Sequence, residues 1–134
     1  MHRSHDTVLI GGSLVAVCAL LAGCKSDRPT LGTVSGTVTL DGRPLPRAVV
    51  TFIPETDGRA SMGTTDDEGR FELVYLREER GAIVGEHRVR IRKIPTEEEG
   101  RVANPLPRKY DASTELTASV QKGENTIDFE LSSR

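Results

Sequence analysis

From residue 33 onward, apolar side chains recur at every second position in short runs broken by Gly, Pro, Asp and Asn. Successive side chains of a strand point to opposite faces, whereas helical neighbours return every three to four residues. Val34, Gly36, Val38 and Leu40 share one side of Thr33–Leu40, and Thr33, Ser35, Thr37 and Thr39 share the other. Asp41-Gly42 then reads as a tight turn. The spacing predicts further strands over Arg47–Ile53, residues 60–65, Arg70–Leu76, Glu86–Ile94, Glu115–Val120 and Thr126–Leu131. In Arg47–Ile53, Ala48, Val50 and Phe52 line one face and Val49 and Ile53 the other, so that strand reads as covered on both sides. No helix-period segment of useful length follows Cys24. Short strands with turn signals about every 8–12 residues predict an all-β sandwich.

The material for the core is aliphatic, because aromatics are only 4% of the chain and Trp is absent. Val38, Phe71, Val89, Ile91 and Phe129 are expected inside. Leu73 and Tyr75 share the inward phase of Phe71, and Leu116, Ala118, Val120, Ile127 and Leu131 are the inward set nearer the end. A helical turn is read at Arg77–Arg80, and a hairpin turn at Gln121–Asn125. Residues 95–111, with three prolines and the acidic run Glu97–Glu99, form the longest irregular stretch.

The first residues read as an address. Arg3 precedes an uncharged stretch from Thr7 to Cys24 whose centre, Val8–Leu21, is apolar. That is the pattern of a secretory signal: basic start, apolar middle, small-residue exit. The exit Leu21-Ala22-Gly23-Cys24 resembles the bacterial lipobox, which implies a diacylglyceryl group on Cys24 and cleavage before it. Acyl chains in pairs anchor stably where one chain binds only marginally. The competing readings are an uncleaved anchor and an ordinary signal cut elsewhere; against the anchor, the stretch only just reaches spanning length and holds Gly11 and Gly12. Lys25 follows Cys24, and by resemblance to well-studied lipoproteins this favours the outer membrane over inner-membrane retention. The expected organisation is therefore a signal peptide at 1–23, a lipidated N-terminus and tether at 24–32, and one domain at 33–131. Cleavage removes Arg3 and Asp6, one charge of each sign, so the net charge stays at −2. A slightly acidic chain argues against nucleic acid as a partner. It also leaves one cysteine, Cys24, so no disulfide is expected within the processed chain.

The runs VSGTVTLDGRPLPRAVVTFIP, TTDDEGRFEL and GEHRVRI, with NTIDFEL near the end, resemble carboxypeptidase regulatory-like domains. The resemblance covers about residues 33–131. It implies a transthyretin-like fold, a seven-stranded Greek-key sandwich of two sheets. In carboxypeptidases such a domain is an accessory to a separate zinc catalytic domain, and no catalytic domain accompanies it here. Some transthyretin-like proteins hydrolyse a urate-derived substrate with several histidines and a Tyr-Arg-Gly-Ser tail. This chain ends Leu131-Ser132-Ser133-Arg134 and keeps His87 alone beyond the leader, so that activity is not expected.

The remaining chemistry is sparse. A zinc site needs about three His, Cys or carboxylate ligands, and His87 has no HExxH or CxxC around it. It falls on an inward strand position and reads as a core histidine. No GxSxG elbow is present. Asp66, Glu68 and Gly69 partly match a calcium loop, but Arg77 stands where its closing Glu belongs, so the segment reads as a polar turn. The isopeptide crosslink of some related surface domains needs an early-strand Lys, which Thr33–Leu40 and Arg47–Ile53 lack. No catalytic residue, metal or cofactor is expected.

Two features remain as candidate surface sites. Arg88, Arg90 and Arg92 share the outward face of one strand. Such a row either pairs across the sheet with carboxylates such as Glu72, Asp128 or Glu130, or docks on anionic polymers or lipid headgroups, which guanidinium forks match. Tyr110, in the long loop, is the aromatic expected to be free to stack on a sugar ring; Phe52, Phe71, Tyr75 and Phe129 fall on core faces. The expected function is a non-catalytic, lipid-anchored cell-envelope module with an interaction or structural role, bound to the membrane through Cys24 and to an envelope protein. The alternative is a carbohydrate- or anion-binding module at the same location.

Overall fold

The computed structural model describes residues 28–96 and 106–134. The leader 1–23, Cys24, the tether residues 25–27 and the acidic run Glu97–Glu99 lie outside the described residues. The described chain is all-β and folds as two packed sheets. Its strands run in order β1 (Leu31–Leu40), β2 (Arg43–Pro44), β3 (Ala48–Pro54), β4 (Ser61–Thr64), β5 (Arg70–Glu72) and β6 (Val74–Leu76). They continue as β7 (Glu79–Arg80), β8 (Ala82–Ile83), β9 (Gly85–Lys93), β10 (Thr117–Val120), β11 (Gly123–Thr126) and β12 (Phe129–Leu131). One 3₁₀ turn spans Arg108–Tyr110. Among the described residues no helix is long and apolar enough to cross a membrane.

Sheet one is built around β1. Along one edge β1 pairs antiparallel with β8, β5 and β2 in turn, and along the other it pairs parallel with β11 and β12. Sheet two is antiparallel in the order β10-β9-β3-β4-β6-β7. Its longest ladder joins Ala48–Pro54 to His87–Lys93. The inward phases interdigitate between the sheets. Val34, Val38, Val50, Phe52, Leu73, Val89 and Ile91 are fully buried, and Phe71 and Phe129 nearly so. The aromatics join the layers: Phe129 of sheet one lies 6.1 Å from Phe52 of sheet two and 6.2 Å from Phe71. The expected core therefore stands, with Tyr75, Leu116, Ala118 and Ile127 only partly buried.

Turn chemistry fixes the connections. Asp41 and Gly42, both at positive φ (52° and 84°), close the β1–β2 hairpin as the sequence predicts. The Asp66 carboxylate accepts from the Glu68 and Arg70 backbone N–H groups at 2.9 Å each, shaping the β4–β5 turn. Arg70 closes back on Glu68.

Three expectations change. Arg70–Leu76 is not one strand. Its first half pairs with β1 in sheet one and its second half with β4 in sheet two. Leu73 is the crossing point: its N–H donates to Val34 O and its C=O accepts from Gly81 N. Arg77–Arg80 is not a helical turn but the tip and return of the β6–β7 hairpin. Gln121–Asn125 is only partly turn, since Gly123–Thr126 already pairs with β1, and the final strand is shortened to Phe129–Leu131. The two parallel segments are separated by Ile127 and Asp128, which arch over Gly36. A Cβ at Gly36 would sit 1.8 Å from Ile127 O. Gly36 therefore has a packing role in β1 rather than a side chain to present.

Candidate functional site

The arginine row is real as geometry. Strand β9 alternates without a break, with His87, Val89 and Ile91 buried and Arg88, Arg90 and Arg92 outside. Directly paired residues share a face, so the register with β3 sets Arg92 beside Val49, Arg90 beside Thr51 and Arg88 beside Ile53. The same rows run on through β4, with Thr64 beyond Val49 and Met62 beyond Thr51. Val74 of β6 ends the row that starts at Arg90; Arg80 of β7, paired with Val74 across a register shift, reaches Glu72 of sheet one instead. The outer face of sheet two thus mixes guanidiniums with Val49, Ile53, Met62 and Val74.

The partners of the row are not the expected ones. Glu72 pairs with Ser35 in register and Glu130 with Thr39, so both point from the outer face of sheet one, a full sandwich away. Asp128 is taken up by the Thr37 backbone N–H and hydroxyl. Arg90 instead meets Asp111, which follows the 3₁₀ turn: Nε and Nη2 donate to its Oδ1 at 3.0 and 2.8 Å. Arg88 and Arg92 meet no carboxylate among the described residues.

Tyr110 is not free to stack on a ligand. It is 7% exposed, and its hydroxyl accepts from the Ser132 N–H at 2.9 Å. Lys109 Nζ lies 5.1 Å from its ring centroid. With Leu106, also buried, it plugs the end of the sandwich. The physical reason is compositional. A core with few aromatics draws in a loop aromatic whose hydroxyl can find a backbone partner. In the same region, hydrogen bonding from the Ser133 hydroxyl and then its backbone N–H holds the Asp41 carboxyl below the usual aspartate range.

His87 lies in the core against Phe52, ring centroids 5.5 Å apart, with Nε2 2.6 Å from Ile83 O. Its Nδ1 and the nearby-strand Ser61 Oγ are buried without a hydrogen-bond partner. Among the described residues no group of three His, Cys, Asp or Glu is placed to hold a metal. Asp66 spends its oxygens on its own turn.

Sequence reasoning missed one concavity. A cleft of about 300 Å³ on the outer face of sheet one is lined by Thr33, Ser35, Glu72, Arg80, Glu124 and Thr126. Arg80 Nη1 lies 3.1 Å from Glu72 Oε1 across it. The alternation exposed Thr33 and Ser35, but only the parallel pairing of β11 brings Glu124 and Thr126 alongside them.

No family model matches the chain, and no curated protein matches it. Among solved structures the chain is similar to a DUF3823 family protein from Parabacteroides merdae, at 15% identity and a TM-score of 0.47. The match covers 77% of this chain and 46% of that one, so the chain spans about half of that structure's length. It is also similar to part of a 9R-lipoxygenase from Cyanothece, at 17% identity and a TM-score of 0.35, over 86% of this chain and 20% of that one.

Proposed function

We propose that this chain is an exported, non-catalytic β-sandwich module held at the cell envelope by lipid on Cys24, with an interaction or structural role. The observation that carries the reading is the Leu21-Ala22-Gly23-Cys24 exit directly after an uncharged apolar stretch. Its physical sense is that acylation turns an ordinary small domain into a membrane-bound one without a spanning helix. Lys25 directs the anchor to the outer membrane in this reading.

The same proposal takes the domain as a transthyretin-like, carboxypeptidase regulatory-like sandwich with Greek-key connections. Support comes from the positions that carry the resemblance: Asp41-Gly42 closes a hairpin, Asp66–Gly69 turns the chain from sheet two into sheet one, and Val89 and Ile91 are core. The partner in this reading is an envelope protein. The polar cleft between Glu72 and Glu124 favours, as the second reading, a carbohydrate bound by hydroxyls and carboxylates. Burial of Tyr110 leaves that reading without its stacking aromatic.

The test is metabolic labelling with a fatty-acid analogue. The wild type incorporates label and is shortened by the leader; Cys24→Ser does neither. Equal labelling of both proteins would refute the anchor. Crosslinking in intact cells then separates the two binding readings, since a recovered envelope protein supports the first and glycan-array binding lost in Glu72→Gln supports the second.

A further inference from the structure

We infer that the outer face of sheet two, from the arginine row to the β6–β7 edge, lies against the anionic membrane surface to which the chain is tethered. The inference rests on the lipid-anchor reading and adds to it an orientation and a binding face.

Three observations converge on this face. The first is the distribution of exposed apolar side chains. Among the described residues the exposed large hydrophobics are Met62, Val74, Leu76 and Ile94. Met62 and Val74 are direct cross-strand neighbours in sheet two, Leu76 follows on β6, and Ile94 directly follows β9. None belongs to sheet one. Half-buried Val49 and Ile53 extend the same outer face toward the arginines.

The second is charge. Arg88 and Arg92 project from this face with no carboxylate partner among the described residues, on either side of the Asp111-paired Arg90. The opposite outer face, that of sheet one, carries Glu72, Glu124, Asp128 and Glu130 along its hydroxyl row, against Arg70 and Arg80. The outward phase of β9 holds Arg88, Arg90 and Arg92 against Glu86, so the two outer faces differ in charge balance. An anionic surface attracts one face and repels the other, within a Debye length of about 10 Å at 0.1 M salt. Cations beside partly exposed apolar side chains are the composition of elements that settle at the headgroup boundary.

The third is where the tether enters. Arg28 Nη2 lies 3.5 Å from Glu79 Oε1 on β7, the edge strand of sheet two. Thr30 O accepts from Val84 N just beyond. Cys24 is four residues before Arg28, a reach of about 14 Å at full extension. A lipid on Cys24 thus draws the membrane to the same edge that exposes Val74 and Leu76.

The chain has no Trp, so one introduced indole reports a single place. The experiment uses the full chain, lipidated and reconstituted into vesicles of brominated phosphatidylcholine with or without phosphatidylglycerol. Met62→Trp reports the sheet-two face and Glu130→Trp the sheet-one face. Val74→Trp replaces the first reporter if Met62→Trp loses its β-type circular dichroism. Flotation with the vesicles is read in parallel. The expected result is a blue shift and loss of emission at position 62 in phosphatidylglycerol vesicles at low salt, with emission at position 130 unchanged. Both effects should recede at about 1 M salt, where the Debye length is about 3 Å, and in the background of Arg88→Gln with Arg92→Gln. Flotation without quenching at position 62 overturns the docking face while the anchor stands. Failure to float brings down the anchor and the docking face together. Quenching at position 130, or equal quenching in neutral vesicles, overturns the orientation. A blue shift that grows with protein concentration without vesicles assigns the face to a second copy of the chain instead.

Discussion

Thr65→Val replaces one buried hydroxyl with a methyl group and leaves the volume of the side chain nearly unchanged. Thr65 is 4% exposed and ties three segments together. Its Oγ1 accepts from the Ala48 N–H at 2.8 Å and donates to Leu45 O at 2.7 Å. Its backbone N–H donates to Ala48 O, and its C=O accepts from the Arg47 N–H. The hydroxyl thereby satisfies the backbone where the β2–β3 link, with Arg47 at a positive φ of 54°, enters sheet two. Valine orphans the Ala48 N–H and one lone pair of Leu45 O, each at about 1–3 kcal/mol. The added methyl returns about 0.8 kcal/mol of burial. The net loss should be about 1–5 kcal/mol, centred near 3. At about 4–8 °C per kcal/mol for a domain of this size, the melting temperature should fall by roughly 10–25 °C. Thr65→Ser keeps both hydrogen bonds, gives up one methyl and should cost about 1 kcal/mol. The assay is urea unfolding of residues 25–134, with an unchanged slope showing that stability alone has moved. Valine costing no more than serine would refute the claim that the hydroxyl, rather than the packing, holds this corner.

Gly36→Ala drives a Cβ into the Ile127 carbonyl and breaks the bonds Ile127 N–Ser35 O and Thr37 N–Asp128 Oδ1. Overpacking and the two lost bonds together should cost about 3–5 kcal/mol by denaturant titration, and a loss under about 1 kcal/mol means the arch does not press on β1. Tyr110→Phe removes the acceptor for Ser132 N–H. It should cost about 0.5–1.5 kcal/mol and speed amide exchange at Ser132, while unchanged exchange at that amide would contradict the bond. Asp41 is held below the usual aspartate range by Ser133, so the contribution of that contact is complete above about pH 3.9 and is lost as pH falls through the lowered folded value. Asp41→Asn tolerates the positive φ; its stability difference from wild type should shrink on acidification below about pH 4, and a pH-independent difference rejects the linkage.

The two candidate sites show how burial redirects surface reasoning. Strand periodicity placed the arginines outside, and they are outside. It could not name their partners, because Glu72 and Glu130 sit at outward positions of their own strands just as Arg90 does. Which sheet a strand joins is invisible to a two-residue period. Asp111 reaches Arg90 only because Leu106 and Tyr110 pack under the sheets and carry the loop with them. The loop carries one usable signal: Leu106 and Tyr110 are its bulky apolar residues after Pro105, spaced to cap a core short of aromatics.

Local chemistry alone determined the strand class, the inward set of Val38, Phe71, Val89, Ile91 and Phe129, and the Asp41-Gly42 hairpin. Period-two burial and positive-φ turns are properties of a few adjacent residues, so they are written where they act. The crossing at Leu73, the parallel pairing of β11 and β12 with β1, the need for glycine at position 36 and the capture of Tyr110 were decided by tertiary structure. Each depends on contacts between segments far apart in sequence. Leu73 satisfies Val34 O with its N–H and Gly81 N with its C=O at a point where both sheets compete for the same backbone. That competition is settled by which arrangement leaves fewest buried groups without partners.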